Sequence, residues 1–191
     1  KDELRIKASV VIPTYKQCDG LKVYADGNTF TTHVMPVCLV VNKTFGTLAT
    51  ADENVHFRNG SIRVSNNPLV TGVLNPKLIM FGGVKNGWIQ NNTFIANGSK
   101  HSAAIECYKS TENIWIEDNT IEITTGDTTG GGIWLANRTT GEVSNNIHVN
   151  NNTIKQDSVD EVIAIFPVAG PMQKLRLNNN LMTRLNSGAS D

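Results

Sequence analysis

The chain lacks the features of a disulfide-bonded, nucleic-acid-binding or membrane-spanning protein. Its 191 residues include three cysteines, an odd number with no metal-ligand spacing, so neither a disulfide framework nor a metal site is predicted. Its 17 basic and 17 acidic side chains balance without any basic run, which argues against nucleic acid as a partner. No apolar stretch approaches the roughly 18 residues of a membrane span, and no signal peptide is found. We therefore predict no metal, no cofactor and no membrane insertion.

Amphipathic helix patterns are also absent, and one short sequence motif, which we call the phrase, recurs instead. The phrase is apolar-x-apolar-x, followed by two residues of Asn type, a small residue and another apolar residue. Its five copies are Val55–Ile62, Gly87–Phe94, Ile114–Ile121, Ile147–Ile154 and Leu175–Met182. A period of about thirty residues indicates stacked repeats rather than an ordinary globular domain.

The alternation within each phrase predicts a strand with one buried face. Ile114 and Ile116 point inward in this interpretation, and Trp115 points outward. Asn and Asp tolerate left-handed backbone geometry, so the Asn-type pair predicts a sharp turn. A further strand is predicted upstream of each copy, in residues 37–41, 78–81, 104–107, 132–135 and 162–165. The chain is thus predicted to be an all-β, parallel β-helix of about six coils, with three short strands per coil.

Stacking has consequences for the turn residues, because equivalent residues in neighbouring coils lie about 4.8 Å apart. The predicted amide ladder consists of residues 59, 91, 118, 151 and 179. An antiparallel β-sandwich is a weaker alternative, since it does not require the same phrase in every period. Leucine-rich repeats are weaker as well, because their leucine spacing is missing.

The phrases Trp115–Ile121 and His148–Ile154 resemble coils of the right-handed, pectate-lyase-like β-helix superfamily. That superfamily includes pectate lyases, polygalacturonases, C5-epimerases and bacteriophage tailspikes, and the resemblance covers roughly residues 20–185. The polygalacturonase signatures and the calcium-binding Asp cluster of pectate lyases are missing. The resemblance therefore implies a tailspike or polysaccharide depolymerase domain, extracellular or on a virion tail. We expect one β-helix domain over residues 1–191, with a capping segment at 1–20, to form part of a longer chain.

The outward residues of the phrase are the first candidates for function. One predicted column contains Lys22, His56, Trp88, Trp115, His148 and Arg176; a second contains Arg58, Gln90, Glu117, Asn150 and Asn178. Tryptophan offers a flat apolar face to a sugar ring, and polar neighbours bond to its hydroxyl groups. We predict a glycan-binding platform that consists of His56, Trp88, Trp115, His148, Arg176 and Glu117. A subunit interface and a plain surface are the alternatives.

The upstream strands form another outward column, which contains Leu39, Met80, Glu106, Trp134 and Ala164, with Tyr108 beside it. Its apolar character suits side-by-side packing in a homotrimer such as those of tailspikes. Glycosidases need two carboxyl groups, about 5 Å apart for retention or about 6.5–9.5 Å for inversion. We predict Glu106 and Asp127 as this catalytic pair, and Trp134 and Tyr108 as substrate-binding residues. A lyase would instead use Tyr108 with Lys109, or His148 with Arg176.

The favoured prediction is a phage tailspike-type domain that binds and cleaves a bacterial surface polysaccharide, with a glycoside hydrolase favoured over a lyase. Two alternatives belong to other classes. One is a non-catalytic trimeric shaft that serves structure or adhesion. The other is a monomeric secreted polysaccharide lyase or epimerase.

Overall fold

A computed structural model describes residues 3–6, 17–19, 22–26, 38–41, 52–65, 77–97, 103–124, 131–137, 140–157, 162–167 and 170–184. All sixteen elements within these ranges are β-strands, and every pairing among them is parallel. The predicted all-β class and the parallel β-helix are therefore confirmed. The described part of the chain contains no helix with the length and apolar character needed to span a membrane.

The strands line three faces. Face one contains β4 (Cys38–Val41), the first half of β7 (Lys77–Gln90), the first half of β9 (Ala103–Glu117), β11 (Gly131–Asn137) and β14 (Ile163–Pro167). Face two contains β2 (Gln17–Asp19), β5 (Asp52–Arg58), the second halves of β7 and β9, β12 (Ser144–Asn150) and β15 (Met172–Asn178). Face three contains β1 (Glu3–Ile6), β3 (Lys22–Asp26), β6 (Ser61–Ser65), β8 (Thr93–Asn97), β10 (Thr120–Thr124), β13 (Thr153–Gln156) and β16 (Leu181–Arg184).

Faces one and two belong to one hydrogen-bonded sheet, because β7 and β9 run through both. The register between these two strands shifts between Gly82 and Val84. Gly83 lies at this shift with a φ of 67°, in the left-handed region that glycine adopts without a steric penalty. The bend therefore turns the strand from face one to face two without ending it.

The number of coils agrees only roughly with the predicted six. The last described coil is less enclosed than those before it. Val149 and Ile154 are fully buried, whereas their register partners one coil later, Leu177 and Met182, are 43% and 48% exposed. The apolar core thus ends openly at β15 and β16.

The core confirms the predicted inward positions. Ile114, Ile116 and Ile121 are completely buried and pack in one hydrophobic cluster with their equivalents in neighbouring coils. Cys107 also lies in this cluster, where its thiol packs as a small apolar side chain. The side chains of Cys18 and Cys38 fall outside the described part of the structure.

The predicted left-handed turns are confirmed at Asn59, Asn91, Asp118, Asn151 and Asn179, with φ between 53° and 57°. The amide ladder, however, is strongest one residue further along the chain. We call Asn92, Asn119, Asn152 and Asn180 the turn ladder. In each neighbouring pair, the Nδ2 of one asparagine donates to the Oδ1 of the next at 2.9–3.0 Å. The exposed predicted column forms such bonds only in part, as from Asn91 to Asn59 at 2.7 Å.

The buried position of the turn ladder has a physical reason. Asn119 uses its second Nδ2 hydrogen to bond the carbonyl of Ile89, while its Oδ1 also accepts from the backbone N–H of Asn92. A buried amide is stable only when its donors and acceptors are paired. The second asparagine of each Asn-type pair provides this pairing, so the turn ladder fixes the stacking of coils and the register of face two.

Candidate functional site

Face two carries the predicted column of rings. His56, Trp88, Trp115, His148 and Arg176 are successive register partners on β5, β7, β9, β12 and β15. We call them the ring column. Lys22 does not belong to it, because Lys22 lies on β3 and pairs with Ser61 on face three. The partner of His56 at that end is Gln17, so the prediction for Lys22 was wrong.

The rings of this column stack on one another. The ring centroids of Trp88 and Trp115 lie 5.1 Å apart with planes only 7° from parallel. His148 stacks on Trp115 at 5.7 Å, and the guanidinium carbon of Arg58 lies 5.3 Å from the Trp88 ring centroid. The faces of both indoles are therefore covered by neighbours, and their exposed parts are ring edges.

This stacking changes how the two tryptophans can contact a sugar. A sugar ring cannot lie flat on an indole face that another ring already covers. An indole edge can still donate a hydrogen bond from its N–H and make apolar contact. The flat-face interaction predicted from the sequence is thus replaced by edge contact, because the alternating strand aligns the rings in register.

A second column runs beside the rings and consists of Arg58, Gln90, Glu117, Asn150 and Asn178, as predicted. We call it the polar column. The carboxylate of Glu117 accepts from Gln90 Nε2 and from Asn150 Nδ2, each at 2.9 Å. Asn178 Nδ2 donates in turn to Asn150 Oδ1 at 3.2 Å. The amides on both sides are therefore oriented towards Glu117, which holds the negative charge at the centre of the column.

A third set of asparagines, on face two, was not predicted from the sequence. Asn86, Asn113 and Asn146, which we call the bend ladder, have φ between 54° and 57°. Their amides bond in sequence, with Asn146 donating to Asn113 at 2.9 Å and Asn113 to Asn86 at 3.0 Å. The available signal was an Asn directly before the first apolar residue of the phrase.

The bend ladder also fixes the orientation of a ring in the ring column. His148 Nε2 lies 2.9 Å from Asn146 Oδ1. Because Asn146 uses its Nδ2 to donate to Asn113, its oxygen faces the imidazole, and Nε2 must carry the proton. In the neutral ring Nδ1 then holds the lone pair.

His56 differs electrostatically from the rest of the ring column. Its partial burial and the positive charge of Arg58 lower the pKa of the imidazole, while Asp19 acts in the opposite direction. The neutral form of His56 is therefore favoured in the folded protein.

The other predicted site residues lie on face one. Glu106 pairs in register with Met80 on one side and Trp134 on the other, and Tyr108 follows on the same strand. Glu106 is only 2% exposed, although it points away from the core cluster, while Trp134 and Tyr108 are partly exposed. Asp127 lies outside the described residues, so the Glu106–Asp127 pair stays a prediction.

Burial on face one also affects the neighbouring cysteine. Desolvation, with a smaller contribution from the charge of Glu106, raises the pKa of the Cys107 thiol to about 12. A thiol that stays protonated at neutral pH is a poor nucleophile. Cys107 is thus a packing residue.

The structure consequently divides the predicted residues into two groups. His56, Trp88, Trp115, Glu117, His148 and Arg176 come together on face two; Glu106, Tyr108 and Trp134 come together on face one. Within the ranges given above, no group of three His, Cys, Asp or Glu residues is arranged to hold a metal ion. Face two offers the more accessible set of donors and acceptors, and it is the candidate binding face.

Comparison with known proteins finds no relative of the chain. No protein-family model, curated protein or solved structure matches the chain. The structure shows the parallel β-helix, and the resemblance to tailspikes stays a prediction from the repeated phrase.

Proposed function

We propose that the chain is a tailspike-like β-helical domain that binds a bacterial surface polysaccharide along face two. The observation that carries this proposal is the pair of parallel, partly exposed columns on that face. From β5 to β12 each coil adds one ring and one polar group, so a polymer aligned with the helix axis meets a ring beside a polar group in each of these coils. Such a protein would work outside the cell or on a virion tail.

The polar column has suitable chemistry for sugar hydroxyl groups, which both donate and accept hydrogen bonds. Each oxygen of Glu117 accepts one amide hydrogen bond within the protein and keeps capacity for a further donor. The indole N–H groups of Trp88 and Trp115 supply donors on the neighbouring column. Donors and acceptors thus lie side by side in a geometry that the coil stacking holds rigid.

Binding is tested by calorimetry with purified capsular, O-antigen and teichoic-acid polymers. The informative variant is Glu117→Gln, for which we expect about a tenfold weaker Kd, since a charge-assisted bond contributes about 1.5 kcal/mol or more. Glu122→Gln is the matched control, because Glu122 is an exposed carboxylate on face three. An equal effect of both variants, or no binding of any polymer, would contradict the proposal.

Cleavage is a separate and finer proposal, because Glu106 lies on face one and not on the proposed binding face; Glu106 and Asp127 would act there as the acid and base. Its test is the release of oligosaccharides from a bound polymer, measured by size-exclusion chromatography. Products that disappear in both Glu106→Gln and Asp127→Asn support hydrolysis by this pair. If one variant still releases the same products, the residue replaced in that variant is not catalytic.

A non-catalytic shaft is the second candidate, and one observation favours it. The ring faces and the amides of face two already have partners within the chain, which is a stabilising arrangement that needs no ligand. Light scattering tests the predicted homotrimer. A trimer that binds none of the polymers favours the shaft, whereas a stable monomer counts against it.

A further inference from the structure

Lys174 interrupts a repeated feature of the backbone. Four earlier coils have an asparagine in left-handed geometry directly before the phrase: Asn54, Asn86, Asn113 and Asn146. In the last described coil this position is Lys174, with a φ of 51°. A left-handed residue without a short polar side chain is strained by about 1 kcal/mol or more. An asparagine here would also extend the bend ladder, so the lysine is unfavourable for the fold.

The surroundings of Lys174 are basic. Arg176 follows two residues later, is exposed, and lies in register with His148 of the preceding coil. The strands β12 and β15 contain no Asp or Glu, whereas β5 and β9 carry Glu53, Glu112 and Glu117 on the same face. At this end of face two, the only charged side chains of β15 are therefore basic, Lys174 and Arg176, and the neighbouring strand β12 carries no acidic one.

The structure assigns to this end of face two an anion-binding subsite, formed by Lys174 and Arg176, for the acidic group of a glycan. This inference rests on the proposed glycan-binding function and specifies its substrate class, a polysaccharide with a carboxylate or a phosphodiester in its repeat. The guanidinium of Arg176 can bind either anion through two parallel hydrogen bonds. Lys174 adds a point charge, and its strained backbone is the sign that this charge is retained for binding.

Lys174→Asn is the most informative variant, because loss of stability does not confound it. It relieves the strained lysine and provides an amide for Asn146, so the protein is expected to unfold at the same or a higher urea concentration. Affinity for an acidic polymer should nevertheless fall about two- to fivefold, the effect of one screened surface charge pair. Arg176→Gln should weaken binding at least as much. Lys155→Gln is the matched control, since Lys155 is exposed on face three.

The probes are pairs of polymers that differ in charge, so that the effect of the acidic group on affinity can be measured separately. Calorimetry uses a glucuronate-containing capsular polysaccharide and the same polymer after carboxyl reduction. A capsular polysaccharide with phosphodiester-linked side groups, compared with the same polymer after hydrofluoric acid has removed these groups, forms the phosphate arm. The inference predicts that at least one acidic polymer binds more tightly than its neutral counterpart, that added salt reduces this preference, and that Lys174→Asn and Arg176→Gln remove it.

The other outcomes contradict either the anion-binding subsite or the proposed glycan-binding function. Equal binding of acidic and neutral forms, with no effect of either variant, overturns the anion subsite and leaves glycan binding intact. An equal loss with Lys155→Gln overturns the subsite as well, because only net charge would then matter. Failure of every polymer to bind overturns the proposed function itself, and the subsite with it.

Discussion

The side-chain amide of Asn119 donates to Oδ1 of Asn152 at 2.9 Å, although the two residues are 33 positions apart and almost inaccessible to solvent. This bond recurs between neighbouring coils along the turn ladder. Because each amide also bonds the backbone of adjacent coils, the turn ladder joins three successive coils at every step. It is the arrangement that keeps the two columns of face two in register.

Asn119→Ala should therefore be strongly destabilising. The substitution leaves the backbone N–H of Asn92 and the carbonyl of Ile89 without their partners, and we expect a loss of about 3 kcal/mol in the free energy of unfolding. Urea denaturation measures it. Asn91→Gly is the control, since glycine keeps the left-handed turn and only exposed bonds are lost; its effect should stay below about 1 kcal/mol. Similar losses in the two variants would show that the buried ladder has no special role.

The stack of Trp88 on Trp115 should appear as an energetic coupling. A double-mutant cycle with Trp88→Ala and Trp115→Ala is expected to give a coupling free energy of about 0.5–1.5 kcal/mol, as for other aromatic pairs in contact. The nearly parallel rings at 5.1 Å are the reason. Trp134 lies on face one, so Trp134→Ala combined with Trp88→Ala serves as the uncoupled control. Additive effects of Trp88 and Trp115 would contradict the stacked geometry.

The thiol of Cys107 should be unreactive towards alkylating reagents in the folded protein. Since burial raises the pKa of its thiol from 9.0 to about 12, iodoacetamide at pH 8 should label Cys107 only after denaturation, as peptide mass spectrometry can show. The unfolded thiol ionises near pH 9 while the folded one does not. Stability should consequently fall as the pH rises from about 9 towards 12, and Cys107→Ala should reduce this dependence. Labelling of Cys107 at the same rate in the native and denatured protein would contradict its burial.

The repeated phrase allowed much of the fold to be predicted, for a specific reason. Period-2 alternation predicts which residues point inward, and Ile114 and Ile116 are buried as expected. The constant spacing then states which residues become neighbours, so Trp88 and Trp115 were correctly paired. Lys22 was misplaced because the same alternation occurs on face three, where β3 lies.

The properties that the sequence did not reveal are those that depend on packing across coils. Alternation indicates that Trp115 is outward, but not that neighbouring rings cover its faces. It likewise places Glu106 away from the core cluster without showing that the residue is 2% exposed. The turn ladder was missed because both residues of an Asn-type pair have short polar side chains that can accept a hydrogen bond, and the sequence does not show that Asn119 is buried while its neighbour Asp118 is exposed.

The most direct test of glycan binding on face two uses the indole N–H signals of the three tryptophans in a ¹⁵N-correlated NMR spectrum, assigned with Trp→Phe variants. Addition of a polysaccharide that binds should shift or broaden the signals of Trp88 and Trp115, whose ring edges lie on face two, and leave Trp134 unchanged. A response confined to Trp134, or binding that leaves all three signals in place, would contradict the central claim that the ring and polar columns form the binding surface.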